Sequence, residues 1–488
     1  MKRLIWLAAA LMATQARAAD LSPGHWPAAE RARLERAEMS PYPPAARALE
    51  GRQELVSATL SPIATHVGME ALRQGGTAAD AAVAVALTQV ATNLGSVISY
   101  AGIAELLYYD ARTGRTYAMD AGWAPYAGET DPGSIPAMDV SLITGGAAAK
   151  GAAPGQGRKT LTPGFMAGMA AMHGRFGRLP FGDLFQPAIW YAETGAPATP
   201  LLGAYFGMQR AQLSRTEEGR AFLALAGDGR PGMGDRIVQP GVATLLRGVA
   251  KAGPNYMYRG PWAQRYVEVV RREGGAVTPK DLARYRVIWE EPLRTRFAGA
   301  EVIGPGRTNA SACSLLLALN LLDAQGGGAM APYWRDANAF AAYARATRYS
   351  IISSSSTAMV AYERSLGLQA DCEGRLVPAY AAAMAPKLEA ILAAAGGGPA
   401  GHHSASVVVV DRWGNVAALV HSINATMWGD TGIVVDGVAI SGAGGNLRGR
   451  LAAVKPGQHA PNDGAPVIAL RNGKPVLAAA SIGSSLVG

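Results

Sequence analysis

Small apolar residues recur at helical spacing from Ala64 to Val90, on both sides of Gly75-Gly76-Thr77, and predict two helices broken at the glycine pair. The period then changes to two. Ile103 to Asp110 and Thr116 to Asp120 read as paired strands around Ala111-Arg112-Thr113-Gly114. Gly145 to Arg158, rich in Gly and Ala without periodicity, reads as a surface loop. From 163 to 300, amphipathic segments alternate with punctuation such as Leu179-Pro180-Phe181-Gly182 and Gly274-Gly275, which predicts a mostly helical layer. Further helices are expected at about Ser314 to Ala324, Asp336 to Tyr349 and Tyr380 to Ala395.

Gly396-Gly397-Gly398-Pro399-Ala400-Gly401 ends this helical half. Strands follow at Ser406 to Val410, Val416 to Val420, Gly432 to Val435, Val467 to Leu470 and Val476 to Ala480, the first two joined by a turn at Asp411-Arg412-Trp413-Gly414-Asn415. The break near residue 400 is the main boundary in the chain. With nearly half of its 488 residues hydrophobic, the chain is long enough for a sizeable core.

Met1-Lys2-Arg3, the apolar run Leu4 to Met12 and Ala16-Arg17-Ala18 have the order of a secretory signal peptide, so residues 1–18 are expected to be removed on export to the periplasm or beyond. No other stretch is long and apolar enough to span a bilayer. Without Lys2, Arg3 and Arg17 the formal charge of +9 becomes +6, and no basic block with interleaved aromatics suggests nucleic acid as a partner. Cys313 and Cys372 are too far apart for a metal knuckle; in an exported protein they form either one disulfide or two separate buried thiols.

The segment Gly401-His402-His403-Ser404-Ala405-Ser406 concentrates the chemistry. A small nucleophile after a flexible glycine segment, at the head of a buried strand, is what an N-terminal-nucleophile hydrolase requires. Such an enzyme cuts its own backbone by an N-to-O acyl shift, and the freed α-amine, with a reference pKa of about 7.7 to 8.0, then serves as base. By spacing alone Ser404 is equally an ordinary linker residue. His402 and His403 read as exposed loop residues rather than metal ligands, for want of a third donor. Gly442-Ala443-Gly444-Gly445 is no dinucleotide turn, since position 447 is Leu447, and no phosphate loop, zinc-protease or calcium motif implies a cofactor.

From about Ser61 onward the chain resembles the γ-glutamyltransferase (γ-glutamyltranspeptidase) family. The resemblance is carried by Gly68-Met69-Glu70-Ala71-Leu72 through Gly75-Gly76-Thr77-Ala78-Ala79-Asp80, by Thr162-Pro163-Gly164, by Gln186-Pro187-Ala188-Ile189 with Ala192-Glu193-Thr194-Gly195, by Tyr258-Arg259-Gly260, and by Asp281-Leu282-Ala283-Arg284-Tyr285-Arg286 with Glu291-Pro292-Leu293. It implies a single large α+β domain, a four-layer αββα sandwich made as one self-cleaving precursor. Counting back from Val409-Val410-Asp411-Arg412-Trp413-Gly414-Asn415, the family's nucleophilic threonine falls on Ser404, with Ser406 the choice if the register slips by two. Cleavage between His403 and Ser404 would divide 19–403 from 404–488. The resemblance assigns support of the nucleophile to Ser422, substrate contact to Asn424, and backbone oxyanion donors to Gly483 and Ser484.

Departures from the family bear on substrate. Met119-Asp120-Ala121-Gly122-Trp123-Ala124-Pro125 lacks the arginine that grips a γ-glutamyl carboxylate; Ala443 and Asn446 replace the ammonium-binding Gln/Asp pair, and Asn462-Asp463 replace paired serines. Without a bidentate arginine a substrate carboxylate lacks compensation. The expected activity is hydrolysis or acyl transfer on an amide of a small molecule or peptide, by default γ-glutamyl but more sharply another acyl group, as in the related cephalosporin acylases. The rival expectation is a catalytically silent exported homologue acting as a binding or scaffold protein. The family continues past the position of Gly488, which implies an exposed sheet edge here.

Overall fold

Gly75, at φ +94°, turns the chain between two helices, and Thr77 begins the second of them by a reciprocal capping box with Asp80. The computed structural model describes residues 18–40, 48–51, 53–59, 61–139, 155–355, 357–394, 404–455 and 458–480. Four helices cover one face of the molecule: α1 (Ala28–Glu38), α2 (Pro62–Arg73), α3 (Ala78–Thr92) and α4 (Phe165–Phe176). Every residue of α3 is buried, which is why its sequence shows little amphipathicity. Small side chains let α2 cross it closely: a Cβ on Gly68 would stand 2.7 Å from Val85 and 2.8 Å from Val56.

Eleven strands build the two main sheets among the described residues: β1 (Ala48–Gly51), β2 (Glu54–Ala58), β3 (Ile103–Asp110), β4 (Arg115–Ala121), β5 (Ile288–Glu290), β6 (Leu293–Phe297), β7 (Ala300–Gly304), β8 (Ala405–Val410), β9 (Val416–Ser422), β10 (Pro466–Arg471) and β11 (Lys474–Ala480). The larger sheet has the order β1-β2-β8-β9-β3-β4-β5 and the smaller one β11-β10-β7-β6, with every pairing antiparallel. Strict alternation divides the central strand β9. Ala417 and Leu419 enter the core under the helices, while Val416 and Ala418 pack with Ile303, Ile468 and Leu470 of the smaller sheet. A second helical layer, α5 (Ala310–Ala324) and α6 (Ala337–Ser355), covers the smaller sheet through Leu316 against Val302 and Ala469. The result is the αββα order.

The break at residue 400 does not divide the fold, because β8 and β9 occupy the middle of a sheet whose other strands precede it. Strands β1, β2 and β5 to β7 were not legible in the sequence; they are short, and β5 and β6 lie inside the stretch read as helical, with β7 at its end. The expected helix from Tyr380 is interrupted by a 3-10 turn at Ala385–Lys387, set by Pro386. Part of the expected surface loop is buried instead: Gln156 and Gly157 lie in the 3-10 turn Gln156–Lys159, and Lys159, just past the loop, pairs through Nζ with Asp430 Oδ2 at 2.8 Å. Residues 145–154 of that loop lie outside the described ones. Cys313 and Cys372 form a disulfide, with Cα atoms 5.6 Å apart, that ties α5 to the short helix Cys372–Arg375. Strand β11 is an edge with Val476 and Leu477 more than half exposed. No described helix is long and apolar enough to cross a membrane.

Glu38, at the end of α1, is buried and accepts the Ile63 N–H at 3.2 Å. Burial pushes its carboxyl up to about 7, only partly opposed by hydrogen bonds. A raised carboxyl pKa stabilises the fold fully below the unfolded value near 4.5 and loses that contribution as pH rises through about 7. Glu38→Gln should therefore remove about 3 kcal/mol of downward slope in stability between those pH values, read from denaturant midpoints at pH 4.5, 6 and 8. Parallel slopes for wild type and variant would contradict it.

Candidate active site

The β8–β9 hairpin carries the candidate nucleophile at one end and its turn at the other. Asp411 organises the turn: its carboxylate accepts N–H groups of Trp413 and Asn415 at 3.0 Å, the Asn415 side-chain amide at 2.8 Å, and the Ala78 N–H that begins α3 at 2.9 Å. At the other end Gln89 of α3, fully buried, reaches three strands. Its amide donates to the carbonyls of Thr59, at 2.5 Å, and Ser406, at 3.4 Å, and its Oε1 accepts from His421 Nε2 at 2.8 Å. His421 is thereby fixed as the Nε2–H tautomer on the helix side, and burial pushes its pKa down to about 3, so it is neutral.

Ser422, the next residue, points to the opposite face. Ser404 Oγ donates to Ser422 Oγ at 3.0 Å, and Ser422 Oγ also accepts the Asn424 N–H at 3.1 Å. Asn424 has φ +47°, a left-handed conformation that asparagine tolerates. Its side-chain oxygen accepts from Trp123 Nε1 at 3.0 Å, and its carbonyl accepts from Asn446 Nδ2 at 3.2 Å. Trp123 thus occupies the stretch where an arginine was absent from the sequence, a contact across 301 positions that no local pattern announces.

Ser404, Ser422, Asn424, Asn462 and Asp463 all line one cavity of about 320 Å³, closed on its other side by α5 and α6. Asn446 lies behind Asn424 rather than on the wall. Ser406 is 5 % exposed, absent from the lining, and bound through its N–H to Thr59 Oγ1 at 2.8 Å. His402, His403, Gly483 and Ser484 fall outside the described residues. Among the described lining residues there is no Lys, Arg or His. The one carboxylate, Asp463, pairs with Arg450 at 3.0 Å.

Asn462 is used up by the fold. Its Oδ1 accepts the N–H groups of Asp463 at 2.7 Å and Gly464 at 3.2 Å, and its Nδ2 donates to Glu105 Oε1 at 2.8 Å. Glu105 of β3 stands opposite Asp120 of β4 in register. Burial, then the Asp120 charge, hold Glu105 well above the usual carboxylate range. Asp120 in turn accepts the Gly122 N–H at 2.6 Å and faces His459 Nδ1 at 2.9 Å, with the His459 ring stacked on Tyr285. Sequence reading missed this cluster, whose members are scattered from 105 to 459. The strands' alternation alone marks Glu105 and Asp120 as polar positions between sheets.

A model of the family described as gamma-glutamyltranspeptidase matches residues 64–487. An acylase ACY 1 proenzyme from Pseudomonas sp. (strain V22) is 34% identical over 170 residues, 34% of this chain and 30% of that protein. The match to that relative therefore spans under a third of its length. The glutathione hydrolase proenzyme of Escherichia coli (strain K12) is 25% identical over 484 residues, covering 90% of this chain and 76% of its own. The crystal structure of a cephalosporin acylase from Bacillus halodurans superposes with a TM-score of 0.69 at 22% identity, over 90% of this chain and 79% of that one, which shows a shared fold.

Because burial and Asp120 favour the protonated form of Glu105, Glu105→Gln should be less damaging than Glu105→Ala, which should lose about 1–3 kcal/mol by leaving Asn462 Nδ2 unpaired. Urea unfolding of both variants checks this; a glutamine variant as damaged as the alanine one would refute it.

Proposed function

The chain belongs to the gamma-glutamyltranspeptidase family, and we propose that it is an exported, self-processing amide hydrolase or acyltransferase whose nucleophile is Ser404. The observation that carries the reading is the 3.0 Å hydrogen bond from Ser404 Oγ to Ser422 Oγ on the wall of a cavity with no described cation. Maturation begins when Ser404 Oγ adds to the His403 carbonyl carbon. The C–N bond breaks, the nitrogen takes the proton to become an α-amine, and water hydrolyses the ester to leave fragments 19–403 and 404–488. In turnover that amine takes the Ser404 proton as Oγ attacks the substrate amide. Ser422 holds the hydroxyl, Asn424 meets the substrate, and backbone N–H groups of Gly483 and Ser484 receive the oxyanion. Ser404 is favoured over Ser406 because Ser406 is buried, with its N–H engaged by Thr59.

The acyl group is uncharged. A γ-glutamyl carboxylate entering this cavity would find no described cation on its wall.

On a denaturing gel the purified protein should run as two fragments, the smaller one beginning at Ser404 by N-terminal sequencing, while Ser404→Ala runs as one chain. Ser422→Ala should slow processing about tenfold, the worth of one hydrogen bond. An uncut wild type would favour the silent homologue, and a fragment beginning at Ser406 would move the nucleophile. With the mature protein, kcat/KM for γ-glutamyl-4-nitroanilide should fall at least about tenfold below that for hexanoyl-4-nitroanilide, about 1.4 kcal/mol of missing ion pairing. Efficient γ-glutamyl turnover would end the uncharged-acyl reading.

A further inference from the structure

The shape of the cavity says more about that acyl group than its lack of charge. Its helical wall is made by one face of each helix: Ser314, Leu315, Ala318, Leu319 and Leu322 of α5 recur at three- and four-residue steps from Ser311, and α6 contributes Tyr343 through Ile351 at the same steps. The two helices are antiparallel, since Gln325 just past α5 bonds to the Ala342 carbonyl and to Arg345 near the start of α6. The long axis of the cavity therefore follows α5. From Ser311 to Leu322 it extends eleven residues, about 16 Å at 1.5 Å per residue.

The two ends differ. Asn309 caps α5, donates to the Gly464 carbonyl and forms a bridge with Asn462, so α5 starts at the polar segment beside the Ser404–Ser422 pair. At the far end, Tyr343 stacks on Tyr333 at 5.2 Å, Tyr333 meets Trp334 edge-on at 5.1 Å, and all three rings are more than a third exposed, with Trp334 69 % exposed. Exposed, mutually packed aromatics at the rim of a slot whose leucines are interspersed with Ser314, Thr347 and Ser350 are a landing surface for the end of an extended, largely apolar ligand.

Resting on the reading of Ser404 as nucleophile, we infer that the substrate is an amide of an extended, uncharged acyl group. Its chain lies along α5 and its end packs on Tyr343. The wall is long enough for about thirteen chain atoms, since a zigzag carbon chain advances about 1.25 Å per bond.

Calorimetric titration of the purified protein with hexanamide and with decanamide tests the slot without requiring turnover. Decanamide should bind at least about 20-fold more tightly, less than the full transfer of four methylenes. Ala318→Trp, which fills the middle of the slot, should bring that ratio to within about threefold. Tyr343→Ala, at the exposed rim where folding is least at risk, should lower it about fivefold. A wild-type ratio near one, or a ratio that survives both substitutions, overturns the inference. If the protein neither cuts itself nor hydrolyses any anilide, the nucleophile assignment fails while the titration still decides the slot.

Discussion

The antiparallel pairing of β8 with β9 is the constraint on which the remaining structure depends. Their register, Ala405 opposite His421 and Val410 opposite Val416, brings a residue at the start of one strand next to a residue at the end of the other. Because side chains alternate, the pair Ser404 and Ser422 emerges on the side of the smaller sheet, while His421 points into the helical layer. A slip of one residue would exchange those faces. Asp411 fixes the register at the turn and Gln89 fixes it at the open end, both through α3. The fully buried helix is thus what holds the candidate nucleophile still, though it never touches it.

The site itself is a polar seam beside an apolar space. Asn462, Glu105, Asp120 and His459 satisfy one another between the sheets, and Trp123 satisfies Asn424. Buried polar groups that are fully partnered rigidify their surroundings and leave little capacity for a ligand. What faces the cavity beyond the two serines is chiefly the helical wall of α5 and α6. That division accounts for the proposed chemistry: a small hydroxyl pair for acyl transfer, and no described cation to hold a charged acyl group.

Much of the architecture was legible because its elements are long and periodic. The helices on either side of Gly75-Gly76, the β3–β4 hairpin and the β8–β9 hairpin all emerge close to their expected bounds. The short strands β5 to β7 were hidden because three to five residues between Pro/Gly breaks carry no measurable period. Gln156 and Gly157, read as surface loop, are buried beside Lys159, whose own partner Asp430 is far away in the chain.

Periodicity and motif order by themselves indicated the family and the long helices and hairpins, since these depend on local spacing that any copy of the chain carries, and they pointed to Ser404 as a candidate. Only the tertiary structure decided that strands from both sides of residue 400 share one sheet, that Trp123 stands against Asn424, that Asn462 is bound to Glu105, and that Tyr343 and Ser404 line a single slot. Those facts are distances and burials between residues dozens to hundreds of positions apart, and they exist only once the sheets have packed and excluded water.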